Sequence, residues 1–305
     1  MILCAGEALI DMLPRESVAG ESCFAPYPGG AVFNTAVALG RLGAQAGFFC
    51  PLSDDLFGAK LRAALAASEV DHSLSPGVDR PCTLAFVTLE DGQARYAFYD
   101  TGTALRGLTE AELPDLPPSV TTLFLGGISL VGAPCADAFA TLAARAGARV
   151  VMCDPNIRPD FIRDEAAYRA RLAGLIARCD IVKLSDEDLH WLMGAGDIAM
   201  LADRVRAQGP AIVVITEGAK GARAFTAQGT TQAVATPVTV VDTVGAGDTF
   251  NAGFLAGLSQ AGALTKPGLA GLDPATLGAA LQLGVRAAAV TVSRAGANPP
   301  WAREI

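Results

Sequence analysis

Short, uniformly apolar runs alternate with longer Ala- and Leu-rich segments along most of the chain. "AIVVIT" (211–216) and "ARVVMCD" (148–154) are the clearest of these runs. Strands that are apolar throughout and separated by helices are typical of a parallel sheet covered by helices on both faces. We therefore predict an α/β fold with strands at 2–10, 46–51, 121–126, 148–153, 180–184 and 211–216. Helices are predicted at 31–42, 55–68, 134–146, 166–178, 185–193, 198–208, 247–260 and 274–291.

Two early segments interrupt this alternation. Residues 12–28 contain three prolines and no helical pattern, and the runs at 82–89 and 94–99 flank "EDGQ", a turn sequence typical of a β-hairpin. We interpret both segments as insertions that together form a small β lid. The prediction is a single domain over 1–305, with the lid built from residues 12–28 and 82–105.

Composition excludes several classes of protein. The net charge is −8 without a basic run, which argues against nucleic acid and anionic membranes as partners. Seven cysteines are scattered and never spaced C-x-x-C, a pattern that indicates reduced thiols and no structural zinc. The apolar N-terminus has no basic region and is interrupted by Glu7, unlike a signal peptide. Because no stretch looks long and apolar enough to span a bilayer, we predict a soluble, cytoplasmic protein.

The string "DTVGAGDTF" (242–250) places two glycines and a carboxylate just before a predicted helix. The unpaired N–H groups of a helix N-terminus attract anions, and a backbone without side chains at Gly245, Ala246 and Gly247 can close on phosphate oxygens. Asp248 could then accept the proton of a hydroxyl that attacks phosphorus. The plainer alternative is that Asp248 only caps the helix. No G-x-x-x-x-G-K-[ST] and no G-x-G-x-x-G after the first strand is present, so phosphate chemistry has to depend on this loop.

Two strings in the sequence resemble the signatures of a known family. "DTVGAGDTFNAGF" (242–254) is similar to the C-terminal signature of the ribokinase-type (PfkB) carbohydrate kinases, and "PGGAVFNTAVALGRLG" (28–43) resembles their N-terminal signature. The resemblance extends over essentially the whole chain. "GEALIDMLP" (6–14), "DPNIRP" (154–159) and "VKLSDEDLHWL" (182–192) look most like the fructokinase-like subgroup. The resemblance implies ATP-dependent phosphorylation of a sugar hydroxyl with Mg²⁺. It also implies a Rossmann-like body of about nine strands with a β lid.

The sugar is expected at the start of the chain. Asp11 follows an apolar run, so we place it at the carboxyl edge of the sheet, where open α/β folds bind ligands. The resemblance implies that Asp11, Gly29, Gly30 and Asn34 contact the sugar. Alternatively, Asp11 is a solvated strand-end residue and the glycines form an ordinary turn. The bulky residues that precede Asn34 depart from the family pattern and leave the identity of the sugar open.

The nucleotide is expected at two later loops. Ser185 and Asp188 stand where the family carries N-x-x-E, which implies that Lys183 and Ser185 lie near the nucleotide and that Glu187 and Asp188 hold Mg²⁺ through water. The alternative is an acidic first turn that complements the helix dipole. "TEGAKG" (216–221) resembles the family's nucleotide loop, which implies contacts from Thr216, Gly218 and Gly221, although a β-hairpin turn would have the same sequence.

Three further expectations concern a cation site, Arg158 and the lid. Residues 291–300 resemble a C-terminal loop that helps to form a monovalent-cation (K⁺) site near Asp242. Arg158 could bind a phosphate or an acidic substrate, or could instead pair with Asp160 or Asp164. Exposed strand edges in the lid favour a homodimer through the lid.

We expect a fructokinase. The alternatives of the same fold are a 2-keto-3-deoxygluconate kinase, favoured by Arg158, and a ribokinase or nucleoside kinase. The alternative of another class is a non-catalytic sugar sensor. The intact Asp248 argues against the sensor, because a sensor needs no base.

Overall fold

The computed structural model describes residues 1–90 and 93–305, and side chains outside 88–96. In this part of the chain the strands are β1 (Ile2–Ala5), β2 (Leu9–Glu16), β3 (Ser22–Gly29), β4 (Ala46–Phe49), β5 (Leu52–Ser53), β6 (Gly77–Val78), β7 (Leu84–Glu90), β8 (Gln93–Tyr99), β9 (Thr122–Gly126), β10 (Val150–Asp154), β11 (Ile181–Ser185), β12 (Ile212–Thr216), β13 (Ala222–Thr226) and β14 (Gly229–Ala233). The α-helices are α1 (Ala31–Arg41), α2 (Leu56–Ala67), α3 (Cys135–Ala144), α4 (Glu165–Ile176), α5 (Asp186–Met193), α6 (Ile198–Arg206), α7 (Ala246–Gln260), α8 (Lys266–Ala270) and α9 (Pro274–Val292).

The central sheet has the strand order β14-β13-β12-β11-β10-β9-β1-β4. The six neighbouring strands β12, β11, β10, β9, β1 and β4 are parallel to one another. Strands β13 and β14 are antiparallel to their neighbours. The parallel strands are almost entirely buried, as their continuous apolar sequence requires. The predicted α/β fold class is confirmed. Within the described residues the sheet has eight strands rather than about nine, and β14 and α8 were not predicted.

The predicted first strand, 2–10, is wrong as a single element. The chain leaves the central sheet after β1, passes through residues 6–8, and enters a second sheet at Leu9. That second sheet has the order β3-β2-β7-β8, so the proline-rich insertion pairs with the hairpin insertion. The hairpin strands β7 and β8 are antiparallel, and the two central turn residues, 91 and 92, lie outside the described residues.

Helix α9 corrects the expectation that no stretch could span a bilayer. It is long and apolar enough by length and composition. A core helix of a folded protein passes the same test, and α9 packs along α7 with Gly284 facing Gly253 so closely that a Cβ on Gly253 would lie 2.7 Å from the Gly284 Cα. One face of α9 is therefore packed in the body of the protein.

The helices differ in how their N-termini are capped, and the two that begin at a glycine lie together. Helices α2, α4, α5, α6, α8 and α9 each begin on a side-chain cap from Asp, Ser or Thr. Helices α1 and α7 instead begin at Gly30 and Gly245, which have no side-chain cap and adopt φ values of 108° and 77°. Only glycine adopts these conformations at little cost. The two glycine-started helices pack against each other, and their first turns form the centre of the site described next.

Candidate active site

The first turn of α7 leaves backbone donors free. The Ala246 N–H bonds to Thr243 O at 3.3 Å, and the Thr249 N–H bonds to Gly245 O at 2.9 Å. Between them, the N–H groups of Gly247 and Asp248 have no protein acceptor in the described part of the chain. Two adjacent N–H groups at the positive end of a helix form a site for an anion. Of the three residues predicted for this loop, Gly245 supplies the turn, Gly247 supplies a free donor, and Ala246 has its donor occupied.

Asp248 is 7% exposed and its side chain does not cap the helix. Its Oδ2 accepts a hydrogen bond of 2.9 Å from Asn34 Nδ2, and its backbone O accepts one from the Thr35 hydroxyl at 3.3 Å. Burial raises the pKa of Asp248 to about 7, against the lowering effect of the Asn34 hydrogen bond. The capping alternative is therefore wrong, and a carboxylate with this pKa is suited to accept a proton near neutral pH.

The N-terminus of α1 is held by a carboxylate from another part of the chain. Glu7 Oε1 accepts from Ala31 N at 2.9 Å and Val32 N at 3.4 Å, while Oε2 accepts from Ser129 N at 3.2 Å. Glu7 is 1% exposed, and burial raises its pKa to about 7. It lies between β1 and β2, where the chain crosses from the body into the second sheet. Glu7 thus fixes the turn that carries Gly30 and, one turn later, Asn34.

Asp11 lies in the second sheet and not at the carboxyl edge of the central sheet, which corrects the prediction. It occupies the third position of β2, directly opposite Tyr27 on β3 and Ala85 on β7. A Cβ on Gly29 would collide with Asp11 Oδ2, so the glycine at position 29 leaves room for this carboxylate. Burial raises the pKa of Asp11 to about 6. Asp11, Gly29, Gly30 and Asn34 therefore form one connected group that reaches Asp248.

Behind the first turn of α7 lies a buried ion pair. Lys183 Nζ is 2.9 Å from Asp154 Oδ2, and both residues are 2% exposed. The same oxygen accepts from Asn251 Nδ2 at 2.7 Å, and Asn251 is one helical turn after Asp248. A Cβ on Gly247 would lie 3.2 Å from Lys183 Nζ. Lys183, predicted near the nucleotide, is thus enclosed behind the loop at 245–248 with its ammonium group on Asp154.

Ser185 and Asp188 cap helix α5. Ser185 Oγ accepts from Asp188 N at 3.0 Å, and Asp188 Oδ2 accepts from Ser185 N at 3.3 Å. Asp188 Oδ1 also accepts from Ile157 N at 3.0 Å, which ties α5 to the loop after β10. Burial raises the pKa of Asp188, whereas Glu187 is exposed to solvent. Asp188 agrees with the alternative of an acidic first turn, and both of its oxygens already accept backbone N–H groups.

The donor set fits a weakly held magnesium ion and not a protein cage. Among the described residues no three His, Cys, Asp or Glu side chains form a metal-binding cluster. Mg²⁺ bound with a nucleotide takes most of its ligands from phosphates and water, so one or two carboxylates nearby suffice.

The loop after β12 is a hairpin turn. Thr216 pairs with Ser185 on the neighbouring strand, which brings the two predicted nucleotide loops side by side. Residues 218–220 form a short 3₁₀ turn before β13, and Gly221 is packed so closely that a Cβ would collide with Ala233 O. Gly218 is exposed, with open space around its Cα. The predicted alternative of a hairpin is confirmed, and Gly221 is explained by the hairpin itself.

Asp242 and Arg158 lie at the margins of the site. Asp242 Oδ1 accepts from Val244 N at 3.0 Å and Oδ2 from Gly296 N at 2.9 Å, so it joins the start of the α7 loop to the 291–300 segment. Arg158 is exposed, and its Nη1 donates to Ile157 O at 3.0 Å. Within the described chain it forms no ion pair with Asp160 or Asp164, so that alternative is not supported.

Sequence reasoning missed three residues of this site. In the sequence Glu7 is only an interruption of an apolar segment, and no role is predicted for Asp154 or Asn251. A single charged or amide residue inside an otherwise buried strand or helix was the signal available, because such groups need a partner. The sequence could not show that Asp154, Lys183 and Asn251 are partners of one another, because they are far apart in the chain.

A helix start with free N–H groups can bind a phosphoryl group, and the buried carboxylate beside it can take the proton of an attacking hydroxyl. This pairing suits an enzyme that transfers a phosphoryl group to a hydroxyl. The chain belongs to the pfkB family of carbohydrate kinases, whose family model matches residues 1–303.

The relatives are named kinases of small sugars or ribosides. A fructokinase from Rhizobium leguminosarum bv. trifolii is 51% identical over 278 residues, which cover 91% of this chain and 85% of the relative. The crystal structure of a fructokinase with bound ATP from Xylella fastidiosa has a TM-score of 0.88 at 28% identity, covering 97% of this chain and 93% of that one. An aminoimidazole riboside kinase from Salmonella enterica has a TM-score of 0.82 at 27% identity, with coverage of 97% and 94%.

Proposed function

We propose that this protein is a fructokinase, which transfers the γ-phosphoryl group of ATP to a hydroxyl of D-fructose. The chemistry is carried by one observation: a buried carboxylate, Asp248, shares a helix turn with the free N–H groups of Gly247 and Asp248. The choice of fructose is supported by the 51% identity to the Rhizobium fructokinase. A non-catalytic sugar sensor would have no use for a carboxylate whose pKa is raised to about 7.

In the proposed mechanism Asp248 takes the proton of the attacking hydroxyl. As the oxygen–phosphorus bond forms and the bond to ADP breaks, negative charge on the transferred group lies against the free N–H groups of α7. Asn34 donates to Asp248 Oδ2 and so leaves Oδ1 as the oxygen that faces the hydroxyl. We assign the sugar to Asp11, Gly29 and Gly30, and we assign to the exposed Arg158 a contact with the distal part of the substrate or with a phosphate.

We assign the nucleotide to the carboxyl ends of β11 and β12. Ser185 and Thr216 lie side by side there, followed by the exposed Gly218 and the packed Gly221. Mg²⁺ that arrives with ATP would neutralise phosphate charge, and Glu187 and Asp188 would hold it through water. Asp242, already bonded to the 291–300 segment, would contribute to a site for K⁺.

The second sheet is proposed to act as a lid in a single domain spanning 1–305, built on the insertions 12–28 and 82–105. Its Phe24, Phe86 and Tyr99 rings form one row, with centroids 5.0 and 5.4 Å apart, and Phe24 and Tyr99 are exposed. An exposed aromatic row on a small sheet favours contact with a second lid, so we propose a homodimer.

All seven cysteines are free and six are buried, which supports a reducing, cytoplasmic location.

A coupled assay of ADP release tests the proposal. The purified protein is incubated with ATP, Mg²⁺ and either fructose, 2-keto-3-deoxygluconate, ribose, or a riboside. We expect kcat/KM for fructose to exceed the others by at least about tenfold, a difference of about 1.4 kcal/mol in transition-state binding. Preferred turnover of a riboside would move the assignment toward the Salmonella relative, and binding without turnover of any sugar would favour the sensor.

A further inference from the structure

The buried ion pair behind the α7 loop has no role in the proton transfer described above. Asp154 ends β10, Lys183 lies in the middle of β11, and Asn251 lies in α7. One oxygen, Asp154 Oδ2, receives both the Lys183 ammonium at 2.9 Å and the Asn251 amide at 2.7 Å. The other, Oδ1, accepts from Asn156 N at 3.2 Å. The network therefore ties the catalytic helix to two central strands through a single carboxylate.

Two features of this network are costly for a purely structural device. Two charges are removed from water, although apolar side chains of similar volume often stabilise a core as well or better. In addition, Asn251 Oδ1 is buried without a hydrogen-bond partner among the described residues. Unpaired buried polar atoms are rare and each requires an explanation. Function at the neighbouring turn supplies one.

The network also lies against the reacting groups. Lys183 Nζ is 3.2 Å from the position of a Cβ on Gly247, and Gly247 carries a free N–H. The charged groups that act on Asp248 are Asp154 from β10, Lys183 from β11 and Glu7 from the β1–β2 connection; Asn34 from α1 is uncharged. Asp154 disfavours the ionised form of Asp248, and Lys183 favours it.

We propose that Asp154, Lys183 and Asn251 are positioning residues for phosphoryl transfer: they fix the first turn of α7 and hold two opposite charges directly behind it. The proposal rests on the proposed function, since it assumes that Asp248 is the base. Neither charge needs to touch the substrate. Their effect reaches it through the position and the ionisation of Asp248.

The test uses the pH dependence of kcat/KM, measured by ADP release with the best sugar found. Lys183→Met leaves Asp154 uncompensated, so the acid limb should move to higher pH by about one unit. Asp154→Asn leaves Lys183 uncompensated, and the limb should move to lower pH by a similar amount. The double variant Lys183→Met/Asp154→Asn buries no unpaired charge, so it keeps the test possible if a single variant does not fold; its limb should return to within about 0.3 units of the wild type.

Asn251→Leu tests the mechanical part of the proposal. It removes the tie between α7 and Asp154 without changing the charge, so kcat should fall about tenfold or more while KM for ATP stays within about threefold. The control is the ion pair between Lys266 and Asp180, 2.7 Å long, whose Asp180 precedes β11 at the opposite edge of the same sheet. Asp180→Asn should lower the melting temperature and leave both the acid limb and kcat unchanged.

The outcomes separate this inference from the function. Absence of sugar-dependent ADP release in the wild type would contradict the proposed function. The charge balance would be overturned if Lys183→Met and Asp154→Asn turn over normally and the acid limbs of their pH profiles stay in place or move in the same direction. A kcat for Asn251→Leu equal to that of the wild type would overturn the positioning role.

Discussion

The part of the candidate site proposed for the sugar and the part proposed for the nucleotide are built differently. On the sugar side, Asp248, Asn34 and Glu7 are connected by short hydrogen bonds to each other or to the backbone of α1, and Asp248 and Glu7 are almost fully buried. On the nucleotide side, the turn at 218–220 is exposed, and the segment that joins β14 to α7 exposes Val238, Val240 and Val241. One half is a fixed polar network, and the other is an open surface with few contacts.

This difference shows where the protein holds structure before ligands arrive. Proton transfer requires an oxygen placed within hydrogen-bond reach of the hydroxyl, so its geometry benefits from being fixed in advance. A nucleotide brings its own large surface and its own charges, and an open apolar surface can receive it. Substitutions on the sugar side should therefore act on kcat or on sugar binding, and those on the nucleotide side should act weakly and on KM for ATP.

The largest effect is expected for Asp248→Asn. Asn keeps the size and can still bond to Asn34, but it cannot take the proton of the hydroxyl. We expect kcat to fall at least about a hundredfold, or about 2.7 kcal/mol, with both KM values within about tenfold. Steady-state ADP release with circular dichroism as the folding control measures this. Near-normal turnover by a folded variant would remove Asp248 from the mechanism.

Gly247→Val should damage both halves at once. A side chain at this position meets Lys183 Nζ and covers the free N–H groups, so phosphate can no longer approach. We expect kcat to fall by roughly a hundredfold and KM for ATP to rise at least about threefold. A variant that loses sugar affinity alone would show that phosphate binds elsewhere.

These two predictions also mark what the sequence could reveal. The alternation of apolar runs gave the fold class, because burial on both faces of a parallel sheet leaves no other pattern. The glycines before Asp248 indicated the helix start with free N–H groups, since few other functions need a bare turn at a helix start. The position of Asp11 was wrong, because the break at residues 6–8 contains Gly6 and Glu7 inside an apolar run, and nothing local shows that the chain changes sheets there. The ion pair of Asp154 with Lys183 depends on strand order, which no local pattern contains.

Activity should depend on pH in the neutral range. The base must be ionised, and the pKa of Asp248 is raised to about 7, so the ionised fraction falls as the pH falls through 7. We expect kcat/KM to drop about tenfold from pH 8 to pH 6. The neighbouring Glu7 has a similar pKa, so the profile is repeated with Glu7→Gln. This variant should keep an acid limb, moved slightly to lower pH, because the negative charge of Glu7 raises the pKa of Asp248. A flat profile over this range would show that proton transfer does not limit the rate.

Glu7→Ala should act on sugar binding more than on ATP. It leaves the N–H groups of Ala31, Val32 and Ser129 without their acceptor and frees the turn that carries Gly30 and Asn34. We expect KM for the sugar to rise about fivefold to tenfold, or about 1–1.4 kcal/mol, with KM for ATP nearly unchanged. Asp273→Ala, which removes a carboxylate cap from α9, is the control and should cost stability alone. Equal changes in the two KM values would mean that Glu7 supports the fold in general and not the sugar side.

The smallest effect is expected for Gly218→Ala, and it tests the nucleotide side directly. Gly218 has a φ of 53° and open space around it, so Ala fits sterically and costs about 1 kcal/mol of backbone strain. If this turn only connects β12 to β13, KM for ATP should change less than about threefold and kcat should not change. Gly221→Ala is the matched contrast, because its side chain would collide with Ala233 O and should lower the melting temperature clearly. A rise of more than tenfold in KM for ATP in folded Gly218→Ala would mean that the backbone at 218 closes on the nucleotide. The nucleotide half would then be as tightly specified as the sugar half, and the contrast between them would not hold.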